Sequence, residues 1–170
     1  MKHLWAPWRM KYILGEDEGS KREACIFCVP EDETGPNKAR LILKVGRLSM
    51  VMMNRYPYNN GHLLVAPRRH APDLAGLGRE EMADLLSHVR LGVEVLTRAS
   101  HPDGFNVGLN LGRVAGAGVE GHLHFHIVPR WSGDTNFMTV LDDVRVVPEH
   151  IEAAFDRLVE DFSALGPDAP

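Results

Sequence analysis

Short apolar runs bounded by turn residues occupy the middle of the chain, and two longer stretches repeat apolar residues every three or four positions. Leu41 to Val45 and Leu48 to Met53 flank Gly46-Arg47 and predict two strands joined by a short turn. Asn54 to Gly61 is rich in Pro and Asn and reads as a loop. His62 to Ala66 predicts a third strand, ended by Pro67. Met82, Leu85, Leu86, Val89, Val93 and Leu96 form the apolar stripe of a long helix. Glu80 and Glu81 in its first turn and Arg98 in its last suit the helix dipole. Strands near Phe105 to Asn110 and Leu123 to Val128 follow, separated by a segment carrying Gly112, Gly116, Gly118 and Gly121. A final helix is expected to start at Pro148 and to bury Ile151, Phe155, Leu158, Val159 and Phe162. Residues 1–40 read as irregular, and Gly166 to Pro170 as a frayed tail. Five strands joined mostly as hairpins, with segregated helices, predict an α+β fold on an antiparallel sheet.

Gly121-His122-Leu123-His124-Phe125-His126-Ile127-Val128 adds chemistry to this frame. On a strand, His122, His124 and His126 share one face and Leu123, Phe125 and Ile127 the other. The imidazoles would stand roughly 7 Å apart. On a helix, residues two apart diverge by about 200° and the three would not converge. Three readings of that face compete. It is a polar face in water, a metal site, or a site where a neutral imidazole attacks phosphorus while protonated neighbours stabilise negative charge. The third is favoured.

Composition narrows the classes. The 170 residues suit one domain, with 44% hydrophobic and 25% charged residues, ordinary for a soluble globular protein. No apolar run approaches the roughly 20 residues of a membrane helix. The opening Met1 to Trp8 lacks the apolar core of a signal peptide, so the chain reads as cytoplasmic and without a membrane partner. A net charge of −4 argues against nucleic acid as a partner and asks for a local site for any anionic substrate. The two cysteines, Cys25 and Cys28, are a poor disulfide framework. Their spacing leaves half a zinc site, a redox pair or two plain thiols.

The run His122 to Val128 resembles the signature of the histidine triad (HIT) family, His-φ-His-φ-His-φ-φ with φ apolar, at all seven positions. Asn54-Arg55-Tyr56-Pro57, followed by Gly61-His62-Leu63-Leu64-Val65-Ala66-Pro67, is similar to a second family segment. Trp5-Ala6-Pro7-Trp8-Arg9, Gly108 to Gly112 and Val128 to Met138 resemble the bacterial branch related to diadenosine tetraphosphate phosphorylases. The resemblance implies a single HIT-like domain over residues 1–170. It divides into an N-terminal extension (1–24), a core (25–131) and a C-terminal extension with a helix (132–170). It also implies a roughly five-stranded sheet with a long central helix, and a homodimer.

The implied activity is a nucleotidyl hydrolase or transferase cleaving a dinucleoside polyphosphate at an α-phosphate, with phosphorolysis as one outcome. The alternatives are an AMP-derivative (phosphoramidate-type) hydrolase and a low-activity nucleotide-binding scaffold. By resemblance His124 is the nucleophile, His126 contacts the transferring phosphate and assists the leaving group, and His122 supports the site. Asn54 and His62 match positions near the nucleoside and the site floor, against the bland readings of a turn and a strand start. Asn110 matches a phosphate-bonding amide, or caps a strand. Gly116 and Gly118 suit backbone contact with phosphate, or a flexible connection. Ala117 and Gly118 lack the hydroxyl that several relatives carry there. Trp131 stacks on a base or packs at a dimer edge, and Arg130 reads as a surface charge. Zinc-bearing relatives imply Cys25, Cys28, His70 and His122 as a closed structural Zn²⁺ site, and no organic cofactor. His3, His88, His101 and His150 read as surface residues.

Overall fold

The computed structural model describes residues 25–116, 119, 121–134 and 149–165. Five antiparallel strands form one sheet: β1 (Ile42–Val45), β2 (Ser49–Met53), β3 (Leu63–Pro67), β4 (Gly104–Leu109) and β5 (Phe125–Arg130), in the order β1-β2-β3-β5-β4. Helix α1 (Arg79–Ser100) links β3 to β4, and α2 (Ile151–Ala164) closes the described chain. The predicted Pro148 start of α2 and the tail lie outside the described residues. The structure starts α2 at Ile151, with the His150 side chain accepting from the Glu152 N–H as its cap. Among the described residues no helix is long and apolar enough to cross a membrane.

The sheet is covered on both faces, which is why its central strands read as continuous apolar runs. Register sorts them: Val51 pairs with Val65 and Met53 with Leu63, while Met50 pairs with Ala66 and Met52 with Leu64. The first set joins Leu85, Val89, Leu96, Phe155, Leu158 and Phe162 of the helices in the main core. The second set forms a smaller core with Phe27, Val29 and Ile42 on the opposite face. A one-residue slip of β3 would exchange the two sets. His126 pairs with Leu64, so it stands on the face opposite α1 and α2.

Three expectations change. The buried arc of α1 is Leu85, His88, Val89, Leu91, Gly92, Val95 and Leu96. Leu86 is exposed, and Met82 and Val93 are half-buried. The helix packs on both the sheet and α2, so more than one stripe is covered. His88 is buried, contrary to its surface reading, because β2 supplies a polar partner. Ser49 Oγ donates to Asp84 Oδ2 at 2.6 Å and lies 2.9 Å from His88 Nδ1. Gly46 makes room for that ring, since a Cβ there would stand 2.3 Å from His88 Cε1.

The last strand begins at Phe125, two residues later than predicted, so only His126 of the three histidines lies on it. Pro67 explains the delay. The Arg68 N–H donates to Leu48 O across the sheet, which turns the Pro67 nitrogen toward β5, where it has no hydrogen to give. His122 to His124 are held by other bonds, including Leu123 N–H to Ala71 O at 2.7 Å.

Gly92 lets α1 approach β5 directly behind the histidines: a Cβ there would meet Ile127 Cδ1 at 2.8 Å. Replacing Gly92 with Val overpacks this contact. It is expected to destabilise the protein by about 1–3 kcal/mol, read by denaturant unfolding; unchanged stability would refute the close-packing account.

Candidate functional site

Burial and hydrogen bonding make the three histidines unequal. His124 is buried, with 5% of its surface exposed. Its Nδ1–H donates to the backbone carbonyl of His122 at 2.9 Å. The lone pair is therefore on Nε2. Burial lowers the His124 pKa below its ordinary 6.5, with the His122 carbonyl opposing that shift. Phe27 stacks on its ring at 4.5 Å between centroids and 24° between planes, and His126 stands 4.9 Å away.

His126 carries the opposite tautomer when neutral. The Tyr58 backbone N–H donates to His62 Nδ1 at 3.0 Å, and the Asn54 amide Nδ2 lies 3.2 Å from the same atom. His62 Nδ1 is thus the acceptor, and its Nε2–H donates to His126 Nδ1 at 3.0 Å. That leaves the hydrogen of His126 on Nε2. Two neighbouring imidazoles so present one bare nitrogen and one N–H. Asn54 serves a turn as well, since its Oδ1 accepts from Tyr56 N–H at 2.9 Å. The turn ends at Gly61, whose φ of +73° admits glycine readily, and His62 follows it fully buried.

A cleft of about 560 Å³ opens beside His126, lined by Tyr58, Asn106, Gly108, Asn110, Val128 and Arg130 among others. Arg130 is more than a surface charge. It pairs with Asp134 through Nε at 2.5 Å and NH2 at 2.8 Å, and its NH1 donates to Asn106 Oδ1 at 2.8 Å. Asn110 lies at the end of β4, with Gly116 beside its amide at 3.9 Å from an added Cβ. Gly118 lies outside the described residues. Trp131 does not line this cleft; its Nε1–H donates to Ser100 O at 3.3 Å.

His122 turns away from the cleft toward Cys25, Cys28 and His70. Its Nε2–H donates to Pro67 O at 2.9 Å, so the Nδ1 lone pair faces the thiols, 3.3 Å from Cys25 Sγ and 3.7 Å from Cys28 Sγ. His70 Nδ1 lies 3.5 Å from Cys28 Sγ. One donor atom from each of the four residues falls within 4.8 Å of the others. Burial, opposed by the Pro67 carbonyl, lowers the His122 pKa to about 4, which keeps the ring neutral as a ligand must be. Burial and then Cys25 push the Cys28 thiol up to about 11, a shift that a coordinated cation would reverse. Two thiols and two imidazoles with converging lone pairs fit a tetrahedral zinc-type ion.

The predicted residues therefore sort into two groups joined at His122. His124, His126, His62 and Asn54 meet on the cleft side, and Cys25, Cys28, His70 and His122 behind it. Sequence reasoning missed Phe27 and the Tyr58 N–H. An aromatic between two cysteines was the only signal for the first, and a backbone donor has none.

A HIT domain pattern matches residues 36–133. An AP-4-A phosphorylase of Mycobacterium tuberculosis is 39% identical over 157 residues, covering 88% of this chain and 78% of that protein. An adenosine 5'-monophosphoramidase of Schizosaccharomyces pombe is 34% identical over 135 residues, covering 79% and 96%. A zinc-bound histidine triad family protein from Mycobacterium smegmatis superposes with a TM-score of 0.60 at 25% identity, covering 74% of this chain and 85% of that one. With more than half of its residues matched and the triad in place, the chain belongs to the HIT domain family.

Proposed function

We propose that the protein is a nucleotidyl hydrolase or transferase acting on dinucleoside polyphosphates through a nucleotidyl-histidine intermediate. The observation that carries this reading is the His124 tautomer: Nδ1–H is held by the His122 carbonyl, which leaves the lone pair on Nε2 of a ring beside His126. His124 Nε2 bonds to the α-phosphorus while the bond from that phosphorus to the bridging oxygen breaks. The bridging oxygen departs with the electron pair of that bond, as a terminal phosphate oxygen of the leaving nucleotide. His126 Nε2–H, its tautomer held by His62, donates a hydrogen bond to the developing negative charge, and the positive charge gained by the His124 ring balances it. The acceptor then attacks the same phosphorus and frees His124. Water gives AMP; inorganic phosphate gives ADP, in keeping with the phosphorylase at 39% identity.

The nucleoside sits on the Phe27 side, near Asn54, and the leaving nucleotide in the cleft toward Arg130. Asn110, Gly116 and Gly118 supply phosphate contacts. Trp131, tied to Ser100, is left to a dimer edge. Cys25, Cys28, His70 and His122 hold a structural zinc ion, whose chemistry is to fix the fold around His122. β4 is an open sheet edge with exposed Val107, which suits strand pairing with a second copy in a homodimer. The protein works in the cytoplasm, as one HIT-like domain with extensions before residue 25 and after residue 131. A phosphoramidate of AMP is a second substrate class, favoured by the monophosphoramidase relative; it uses the same first step.

His124→Ala is expected to lower turnover of diadenosine tetraphosphate by about 10⁴-fold or more with the circular dichroism spectrum unchanged. Near-wild-type turnover would remove His124 as nucleophile. Product analysis decides the acceptor: ATP plus AMP without phosphate means water, and ATP plus ADP requires phosphate. His62→Phe takes away the donor at His126 Nδ1 and should lower kcat by about 10²-fold with little change in KM; an unchanged kcat would refute His62 as the group that orients His126. Because burial holds His124 below 6.5, protonation blocks Nε2 only at lower pH. The acid limb of kcat/KM for intermediate formation should therefore lie below 6.5, and a limb centred above that value would contradict the assignment.

A further inference from the structure

We infer that Cys25, Cys28 and His70 are positioning residues for the nucleophile. A zinc-type ion held by them and by His122 fixes the tautomer and ring plane of His124. The consequence for turnover rests on the reading of His124 given above, but the coupling itself is a property of the fold.

Two separate routes connect the cluster to His124. The first runs through His122 alone. Its Nδ1 faces Cys25 and Cys28, its Nε2–H is held by Pro67 O, and its own carbonyl takes the Nδ1–H of His124. Anchoring the ring at both nitrogens leaves its backbone little freedom, and that backbone oxygen selects which nitrogen of His124 is bare. The second route runs through Phe27. It lies between the two cysteines, is 1% exposed, and stacks on His124 while its centroid stands 5.3 Å from that of His122. The turn that carries it is closed by Cys28 N–H to Cys25 O at 3.2 Å and pinned by Arg40, which donates to Ile26 O and Cys28 O. A cation drawing Cys25 and Cys28 together therefore also sets the plate against which His124 rests.

The segment after His70 closes the arrangement. Leu123 N–H donates to Ala71 O, so the residue between His122 and His124 is bonded next to the remaining ligand. No ladder bond does this work, because β5 starts only at Phe125. The nucleophile is thus one residue short of the sheet, and the cluster substitutes for the missing strand pairing.

The test reads the tautomer directly. Protein with ¹⁵N-labelled histidine, assigned with His124→Asn and His122→Asn, is compared by long-range ¹H–¹⁵N NMR as zinc-loaded, chelator-stripped and zinc-restored samples. Zinc-loaded protein is expected to give a single Nδ1–H pattern for His124 and an Nε2–H pattern for His122. Stripping or Cys28→Ser should average the His124 signals between tautomers. Zinc should restore the wild type, and Cys28→His, which keeps a ligand, should behave as wild type. His70→Ala, at the exposed rim, provides a milder loss of metal should stripping unfold the chain, with circular dichroism as the check. In stripped, Cys28→Ser and His70→Ala protein kcat should fall about tenfold with little change in KM. The inference is overturned by a wild type that binds no zinc, or by a His124 pattern that stays Nδ1–H in stripped and His70→Ala protein. A protein with the expected tautomer response and no turnover of any nucleotide would refute the proposed activity and leave this coupling standing.

Discussion

The hydrogen bond from His124 Nδ1 to the carbonyl of His122, 2.9 Å long, is the constraint on which the rest of the site depends. An imidazole is a useful nucleophile only when one nitrogen is bare and aimed, and a single acceptor at the other nitrogen decides which. That acceptor is a backbone atom, so its place is set by everything that sets the chain at His122: the Pro67 carbonyl, the two thiols and the bond from Leu123 to Ala71. Pro67 in turn has its place because β3 pairs with β2 in one register, Ser49 against Pro67.

The sheet separates stability from chemistry. One face carries both helices and the larger core, and the other carries the histidines over a smaller core of Phe27, Ile42, Met50 and Leu64. The two faces meet at close quarters where α1 crosses β5 at Gly92 and Ile127, one residue from His126. Burial on the chemical face is not incidental. It favours the neutral forms of His122 and His124, as the proposed ligand and the proposed nucleophile would need, and the same burial raises the thiol of Cys28.

Much of this was legible in the sequence, for unequal reasons. The apolar runs located all five strands to within a residue or two, because both sheet faces are covered and register leaves little choice. The alternation of His122, His124 and His126 predicted one shared face, whereas only His126 is on the strand and His122 turns toward Cys25 and Cys28. Local pattern assigns a strand wherever residues alternate; it does not register that Pro67 withholds an N–H from the neighbouring chain. His88 looked like surface because its environment is tertiary: Ser49, Asp84 and the absent side chain of Gly46 make its pocket. Phe27 was illegible for the same reason. The set of Cys25, Cys28, His70 and His122 could be named from resemblance, but its link to His124 needed the geometry.

The proposed reaction needs both forms of one side chain, and opposite partners supply them. His124 meets an acceptor, a carbonyl, and so exposes a lone pair. His126 meets a donor, the Nε2–H of His62, and so keeps its own hydrogen on Nε2. His62 can be that donor only because a backbone N–H and an amide occupy its other nitrogen. Two histidines whose ring centroids lie 4.9 Å apart become complementary through what stands behind each of them. In the proposed reaction the first bonds to phosphorus and the second donates a hydrogen bond to the departing oxygen. The polarity of the proposed step thus follows from a carbonyl behind one ring and an N–H behind the other, and exchanging one partner for its opposite would leave two rings of the same kind.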